Sequence, residues 1–438
     1  MVRTNPCSRR AIAHLAEHLY LTMINYAQAL QRLLAQTSPL PAENCALSEA
    51  AGRVLAADIC SPIALPSFDH AAMDGYALCA REPVSAGSEH VVHGSQAAGD
   101  ACSADAIGAC EIMTGARLPA GLDAVIALER TELLAAQADG RPERIHLLDP
   151  LAAGDNVRHT GADVAQGSTV LATGTRIEPA HIMLLAALGL TRIEVVRRPR
   201  IAIICTGKEL QAHPSQSLAD GHIHNSNGPY LVAALTAVGA QVLSCETVDD
   251  TPSTFAHALQ RVVDTGADVM ISTGAVSMGR YDFVPDTLRD LDAELLFHTV
   301  AIRPGKPLLG AKLANGLLIL ALPGTPMAVA VGFRFFVAPA LRAMTGQAIE
   351  PPLHAVLDTP QQPKAGLRHF LRATLHQDAE DRLHATVTGQ QQPFRIRPFA
   401  VADVWVVLPE DAGRCAAGAR VEIVGLEPGT APHIRPSH

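Results

Sequence analysis

The sequence predicts a multidomain α/β and β protein. It combines a doubly wound α/β domain with a β-rich inserted domain, an extended connector domain and a C-terminal β-barrel. Three observations lead there. First, the apolar runs 201–205 (IAIIC), 269–271 (VMI) and 317–322 (LLILAL) each read as a buried parallel strand, and each is followed by a glycine loop: Thr206-Gly207, Thr273-Gly274 and Pro323-Gly324. Second, residues 91–144 are rich in short β-like runs separated by Gly, Ala and Asp turns. Third, the texture changes after Gly346, where Pro351 and Pro352 mark a boundary. The alternating runs 382–388, 403–408 and 420–424 then suggest a small barrel or sandwich.

The 438 residues suffice for about three domains at ~150 residues each. We place an N-terminal extension at 1–22, a connector domain at 23–45 and 146–179, the inserted domain at 46–145, the α/β domain at 180–347 and the barrel at 348–438. Taken in order, an amphipathic helix is expected over 23–34 and another over 47–54, with Ser48 as its start. An extended segment follows over 55–64, then a strand over 76–79. The runs 111–115 (EIMTG) and 123–129 (DAVIALE) read as strands of the inserted domain. A helix over 179–188, closed by Gly189, opens the α/β domain. Further helices are expected over 229–238, where Gly228-Pro229 is the start signal, and over 327–344.

Hydrophobic residues make up 48% of the chain, enough to bury a large core. A net charge of −9 argues against nucleic acid as the main partner, because an acidic protein is repelled by a phosphate backbone. The nine cysteines are scattered without a CxxC or zinc spacing, which suits a reducing, cytoplasmic setting. No membrane span is expected, since the apolar region 317–341 is cut by PGTP, Arg334 and Pro339.

Glycine loops after buried strands put backbone N–H groups and small hydroxyls at the carboxyl edge of a sheet, where open α/β sheets bind ligands. None of the three loops is a GxxxxGK[ST] phosphate loop or a GxGxxG turn, so a nucleoside-triphosphatase or dinucleotide site is not supported. Residues 267–283 (ADVMISTGAVSMGRYDF) crowd Ser272, Ser277, Gly279, Arg280, Tyr281 and Asp282 at one such edge. Residues 66–78 (PSFDHAAMDGYAL) place Asp69 and Asp74 five apart beside Gly75, either as a site or as a turn entering a strand. Arg158 and Asp163 flank Gly161 in a polar turn. His222 and His224 alternate at strand spacing but lack a third metal ligand, so surface or capping roles are expected. Arg303 and Lys306 bracket Pro304-Gly305, two cations on a stiff turn suited to an anion.

PSFDHAAMDGYA, EIMTGARLPAGLDAVIALE, GDNVRHTGADV, ICTGKEL, STGAVSMGRYDF, AIRPGKP and LPGTP occur in the order found in the molybdopterin molybdenumtransferase family, which includes bacterial MoeA and the E domain of gephyrin. The chain resembles that family over about residues 23–430. The resemblance implies a MoCF-type α/β domain and a homodimer whose active site lies between the α/β domain of one subunit and the inserted domain of the other. It implies insertion of molybdate into adenylylated molybdopterin, with Mg2+-dependent release of AMP. Asp74, Thr114, Arg158, Asp163 and Glu209 fall at family positions and are the catalytic candidates. Gly274, Ser277, Arg303, Lys306, Pro323, Gly324 and Asn225 are candidates for binding molybdate and the pterin substrate. Glu209, Asp249, Asp268 and Asp282, together with Asp250, are candidates for holding Mg2+, which takes hard oxygen ligands. Molybdopterin adenylyltransferase and molybdoenzyme acceptors are the implied partners, with no nucleic acid and no membrane.

The motifs also depart from the family. Lys208 replaces the acid of TGDEL, Ala275 the second glycine of GGVS, Ala162 the acid of a GED turn, Thr299 and Arg303 two lysines, and Thr325 the asparagine of LPGNP. In Gly366-Leu367-Arg368 the arginine is displaced by one position, which reverses its face on a strand. Gln390–Arg397 (QQQPFRIR) lacks the family's serine. The competing expectations are a non-catalytic cofactor-binding or scaffold protein of the same fold, and an enzyme acting on a related pterin or nucleotide substrate.

Overall fold

The computed structural model describes residues 23–101, 108–211, 217–277 and 282–436. The N-terminal extension and Gly279, Arg280 and Tyr281 lie outside the described residues. The chain forms two compact units. One comprises the chain up to Cys45, Ala50–Ala56 and the chain from Glu194 onward; the other comprises Ala46–Glu49 and Ala57–Ile193.

The first unit contains a six-stranded sheet of β1 (Arg200–Thr206), β2 (Gln241–Val248), β3 (Val269–Thr273), β4 (Glu294–His298), β5 (Leu309–Lys312) and β6 (Leu318–Leu322). Their spatial order is β2-β1-β3-β6-β5-β4. β2, β1, β3 and β6 run parallel, with Ile203 beside Ile271 and Ile271 beside Leu320, while β5 is antiparallel to both β6 and β4. The continuous apolar runs are required because both faces are covered. Helices α1 (Tyr26–Ala35), α2 (Asn227–Ala237) and α5 (Pro326–Met344) share one core with Ile201, Ile203 and Cys205, through Ala29, Leu33, Leu231, Leu235 and Phe336. Helices α3 (Pro252–Asp264) and α4 (Val284–Asp290) pack Phe255, Leu259 and Leu288 against Ala202 and Ile204 on the opposite face. That alternation is the doubly wound arrangement expected.

Local sequence explains the helix starts. Asn25 caps α1 by accepting from the Gln28 N–H, and Gln28 reaches back to the Asn25 N–H. Thr251 caps α3, with Pro252 in the first turn.

Helix α5 matches the helix expected over 327–344 and runs on through Arg334 and Pro339, the two residues that argue against a membrane span. A π-helical segment, Phe333–Val337, precedes Pro339 and accommodates the missing N–H. Buried Arg334 is paired with Glu350 at 2.8 Å and donates to the Gly425 carbonyl at 2.8 Å. Helix α5 is long and apolar enough to cross a bilayer, yet 83% of its apolar window is buried in the core of this unit.

The same unit ends in a closed barrel. Arg368–Gln377 pairs with Leu383–Val387 and Val404–Leu408, and Arg420–Gly425 pairs with Val404–Leu408 and Leu353–Leu357. Leu353–Leu357 closes the ring by pairing with Leu383–Val387. Leu357, Leu375, Val404, Val406 and Ile423 fill the barrel's core.

The second unit is built on a six-stranded sheet in the order Ala124–Ala127, Gly75–Leu78, Ala109–Ile112, Glu89–Gln96, Pro142–Leu147, Thr131–Ala136. Gly75 is obligatory, because a Cβ there would lie 1.9 Å from the Ile126 carbonyl oxygen.

Three expectations are corrected. The helix over 47–54 is only a 3₁₀ turn, Leu47–Glu49, because Gly52 takes φ +77° and ends it. The helix Pro179–Ala187 belongs to the second unit rather than opening the α/β domain. Segments 23–45 and 146–179, grouped as one connector, fall in different units, since Ala29 and Leu33 of α1 are buried in the α/β core.

Candidate functional site

In the first unit the parallel strands end around a cavity of about 280 Å³ at the carboxyl edge of the sheet. Thr206 after β1, Thr273, Gly274 and Ala275 after β3, and Gly324 and Pro326 after β6 all line it. The strand ends approach closely. A Cβ on Gly274, which has φ +95°, would sit 2.6 Å from both the carbonyl oxygen and Oγ1 of Thr206. Thr206 Oγ1 in turn donates to the Thr273 carbonyl at 3.1 Å.

Two helix N-termini meet the cavity. Asn225, one residue before the Ser226 N-cap of α2, accepts the Gly228 N–H at 3.0 Å while donating to Thr247 Oγ1 at 3.0 Å. Gly228 permits this approach, since a Cβ would lie 3.0 Å from both Asn225 Nδ2 and Cys245 Sγ. Buried Asn227 lines the cavity and donates to the Gly324 carbonyl at 2.7 Å, tying the start of α2 to the loop before α5. Converging N–H groups and helix dipoles favour an anion here. Glu209 and Asp250 line the same cavity. The Lys208 N–H faces Asp250 Oδ2 at 3.4 Å, so the lysine that replaces the acid of TGDEL stands beside an aspartate.

The start of α5 is also where two basic segments arrive. Gly305, buried with φ +103°, brings the Arg303–Lys306 turn against Ala328; both cations are exposed. The Met327 N–H donates to the Pro393 carbonyl at 3.0 Å, docking the Gln390–Arg397 loop on the same helix end. Arg372, buried within the barrel, holds that loop from beneath. It donates to the Arg395 carbonyl at 2.6 Å, the Gln390 carbonyl at 2.9 Å and Gln391 Oε1 at 3.3 Å.

The remaining sequence candidates of this unit separate. Ser277 is exposed just beyond β3, Pro323 is half-buried between β6 and the cavity, Asp249 is exposed beside Asp250, and Asp282 is half-buried before α4. Asp268 is corrected: it precedes β3 and lies at the opposite, amino edge of the sheet. Arg197 grips its carboxylate with two bonds of 2.9 Å, and the Arg200 N–H adds a third at 2.7 Å. It is a structural acid, removed from any metal at the carboxyl edge.

In the second unit, Asp74 accepts both the N–H and the hydroxyl of Thr114 at 2.7 Å. Asp69 accepts the N–H and hydroxyl of Thr160 at 2.7 and 2.8 Å, with His159 Nδ1 at 3.2 Å. These bonds hold both carboxyls below the usual carboxylate range. Arg158 stands opposite His70 in a short antiparallel pair, and the Asp163 N–H donates to the Leu65 carbonyl at 2.9 Å. Asp74, Thr114, Arg158 and Asp163 therefore sit on neighbouring loops of one unit.

Sequence reasoning did not select Thr206, His224 or Asn227, which all line the cavity. The strand-end position of Thr206 and the helix-start position of Asn227 were the available signals.

The chain matches three family models in order. Residues 24–189 match the MoeA N-terminal region (domains I and II), 202–343 a probable molybdopterin binding domain, and 354–426 the MoeA C-terminal region (domain IV). It is 34% identical to the molybdopterin molybdenumtransferase of Synechococcus elongatus over 414 residues, covering 92% of this chain and 100% of that protein. It is 34% identical to that of Bacillus subtilis over 418 residues, covering 92% and 94% of the two chains. The crystal structure of the molybdopterin biosynthesis MoeA protein from Pyrococcus horikoshii superposes with a TM-score of 0.79 at 27% identity, covering 93% of this chain and 100% of the other.

Proposed function

The chain belongs to the MoeA family of molybdopterin molybdenumtransferases, and from that premise we propose that it inserts molybdate into adenylylated molybdopterin, releasing AMP in a Mg2+-dependent reaction. The observation that carries the reading is the carboxyl-edge cavity, where two helix N-termini and two carboxylates meet.

Each part has a role in that chemistry. The starts of α2 and α5, joined by the Asn227–Gly324 bond, bind phosphate oxygens of the substrate without side-chain reorganisation. Thr206 and Thr273 add hydroxyl-bearing strand ends to the wall of the cavity. Arg303 and Lys306, on the turn against α5, attract molybdate, an oxyanion that requires fixed cations. Glu209 and Asp250 supply hard oxygen atoms, the donor type Mg2+ requires, and these two would hold it. When bound, Mg2+ neutralises charge building on the phosphate oxygens. Asp74, Thr114, Arg158 and Asp163 are proposed to act on the substrate from the second unit of a partner subunit, in a cytoplasmic homodimer.

Single-turnover AMP release from adenylylated molybdopterin, with Mg2+ and with or without molybdate, tests the proposal. Molybdate-dependent AMP release with formation of active cofactor is expected. Tight substrate binding without AMP release would overturn it in favour of a cofactor-binding scaffold, with Lys208 and the 390–397 loop as the altered elements. Glu209→Gln and Asp250→Asn are expected to lower apparent Mg2+ affinity by at least roughly 10–100-fold, the loss that changing even the groups behind a metal's ligands brings.

A further inference from the structure

The barrel carries a polar cluster that the proposed reaction does not use. His376 and His384 stand directly opposite each other on the antiparallel strands Arg368–Gln377 and Leu383–Val387, with ring centroids 5.4 Å apart. Directly opposed residues are the closest cross-strand neighbours a sheet provides. The strand Leu353–Leu357 runs parallel along the other side of Leu383–Val387, and Asp358 follows its last residue, donating its N–H to the Ala385 carbonyl at 3.1 Å. The Asp358 carboxylate spans both imidazoles, with Oδ1 2.8 Å from His384 Nδ1 and Oδ2 3.8 Å from His376 Nε2. One ligand atom from each of the three residues lies within 4.8 Å of the other two, and all three side chains are half-buried.

We propose that Asp358, His376 and His384 bind a divalent transition-metal ion of the Zn2+ class. Two imidazole nitrogens and one carboxylate oxygen form a donor set for borderline cations. Mg2+ and Ca2+ demand oxygen shells and would leave the imidazoles idle. The three ligands come from three hydrogen-bonded strands of a closed barrel, so their spacing is fixed before the ion arrives. The groups behind them suit a metal site too. Asp378 Oδ2 faces His384 Nε2 at 2.9 Å, and a carboxylate there accepts a hydrogen bond from Nε2–H, the tautomer that leaves the Nδ1 lone pair turned toward Asp358. Asp378 is fixed by the Arg382 N–H and Nε, each at 2.8 Å, and Thr386 Oγ1 donates to Asp358 Oδ2. Three protein ligands leave a fourth position for water on the exposed side.

A proton competes for the same place. Without the ion, an imidazolium at His384 donates to Asp358 from Nδ1 and to Asp378 from Nε2. The charged groups around it are Asp358, just after Leu353–Leu357, His376 from Arg368–Gln377, and Asp378 and Arg382 from the intervening turn.

The test uses the full-length protein stripped with a chelator and titrated with ZnCl2 alone, in the presence of excess Mg2+. Bound metal is counted by mass spectrometry after desalting, and melting temperature is followed in parallel. About one Zn2+ per chain is expected, together with a Zn2+-dependent rise in melting temperature. Both are lost in His376→Gln and His384→Gln. His384→Gln also breaks the links to Asp358 and Asp378 and can fail to fold; His376→Gln leaves that chain of bonds intact and carries the test alone. No Zn2+ uptake by the wild-type chain, or equal uptake by a folded His376→Gln variant, overturns the proposal.

Discussion

Thr114 donates both its backbone N–H and its hydroxyl to a single oxygen of Asp74, each at 2.7 Å. The same clamp recurs twice in the second unit. Thr160 closes on Asp69 at 2.7 and 2.8 Å, and Thr173 closes on Asp58 at 2.7 and 2.8 Å. Each joins segments far apart in sequence and keeps its aspartate ionised. The repeat supplies its own control, because of the three aspartates only Asp74 is proposed to act on the substrate.

Asp58→Ala and Asp74→Ala remove equivalent clamps, so both are expected to loosen a loop to limited proteolysis. Only Asp74→Ala is expected to slow AMP release, on the order of 10²-fold for a lost acid–base or charge-stabilising group. Equal activity in the two variants, measured by single-turnover assay, would remove Asp74 from the chemistry.

Acid should release the clamps together. The carboxyls of Asp58, Asp69 and Asp74 are depressed in the folded chain, chiefly by the threonine N–H groups of Asp58 and Asp74 and by that of Thr160 at Asp69. A depressed carboxyl contributes stability above its unfolded value of about 3.9, and that stability is lost as pH falls through the folded value. Protease sensitivity of the second unit is expected to stay flat down to about pH 4 and to rise below it. Asp58→Asn should blunt that rise.

Gly274→Ala places a methyl group 2.6 Å from two oxygens of Thr206 at φ +95°. Stability should fall by ~1–3 kcal/mol or more, the usual cost of a strained backbone position. Denaturant unfolding measures it, and substrate affinity should drop in the same variant because β1 and β3 can no longer converge at the cavity.

Ala275 is the reverse case. It holds φ +49° where the family pattern has glycine. An L-residue there costs roughly 1–2 kcal/mol, partly offset by the greater unfolded-state freedom of glycine. Ala275→Gly is expected to be neutral or to stabilise by up to ~1 kcal/mol, with no loss of activity, as measured by the denaturation midpoint. Thr299 and Gln390, two further departures, also hold positive φ, at +68° and +62°.

Arg372→Met leaves the Gln390 and Arg395 carbonyls without their buried donor. A loss of about 1–3 kcal/mol is expected, the desolvation penalty of an orphaned polar group. Hydrogen exchange should rise in the 390–397 loop and at Met327, whose N–H the loop accepts.

The sheet strands were legible because burial on both faces forces unbroken apolar runs, as in Arg200–Thr206 and Leu318–Leu322. The cavity's glycines were legible because only glycine fits where strand ends nearly touch. Helix α5 was legible as the apolar run 327–344, but how it tolerates Pro339 and a buried Arg334 was not. A π segment and the Glu350 pairing accommodate them, and neither has a local signature. Leu47–Val54 was misleading: its apolar spacing suited a helix, but Gly52 at positive φ stopped it.

The sequence by itself determined the fold class, the family and which loops gather at the carboxyl edge, because strand periodicity, glycine loops and ordered motifs are properties of the chain in line. Tertiary structure alone decided which acids are available. Asp250 lines the cavity while Asp268, at the other end of the sheet, is locked by Arg197. It alone brought Asp358, His376 and His384 together from three strands. A side chain's partners depend on strand register and sheet end, and those are fixed by pairing between segments rather than by any stretch of sequence.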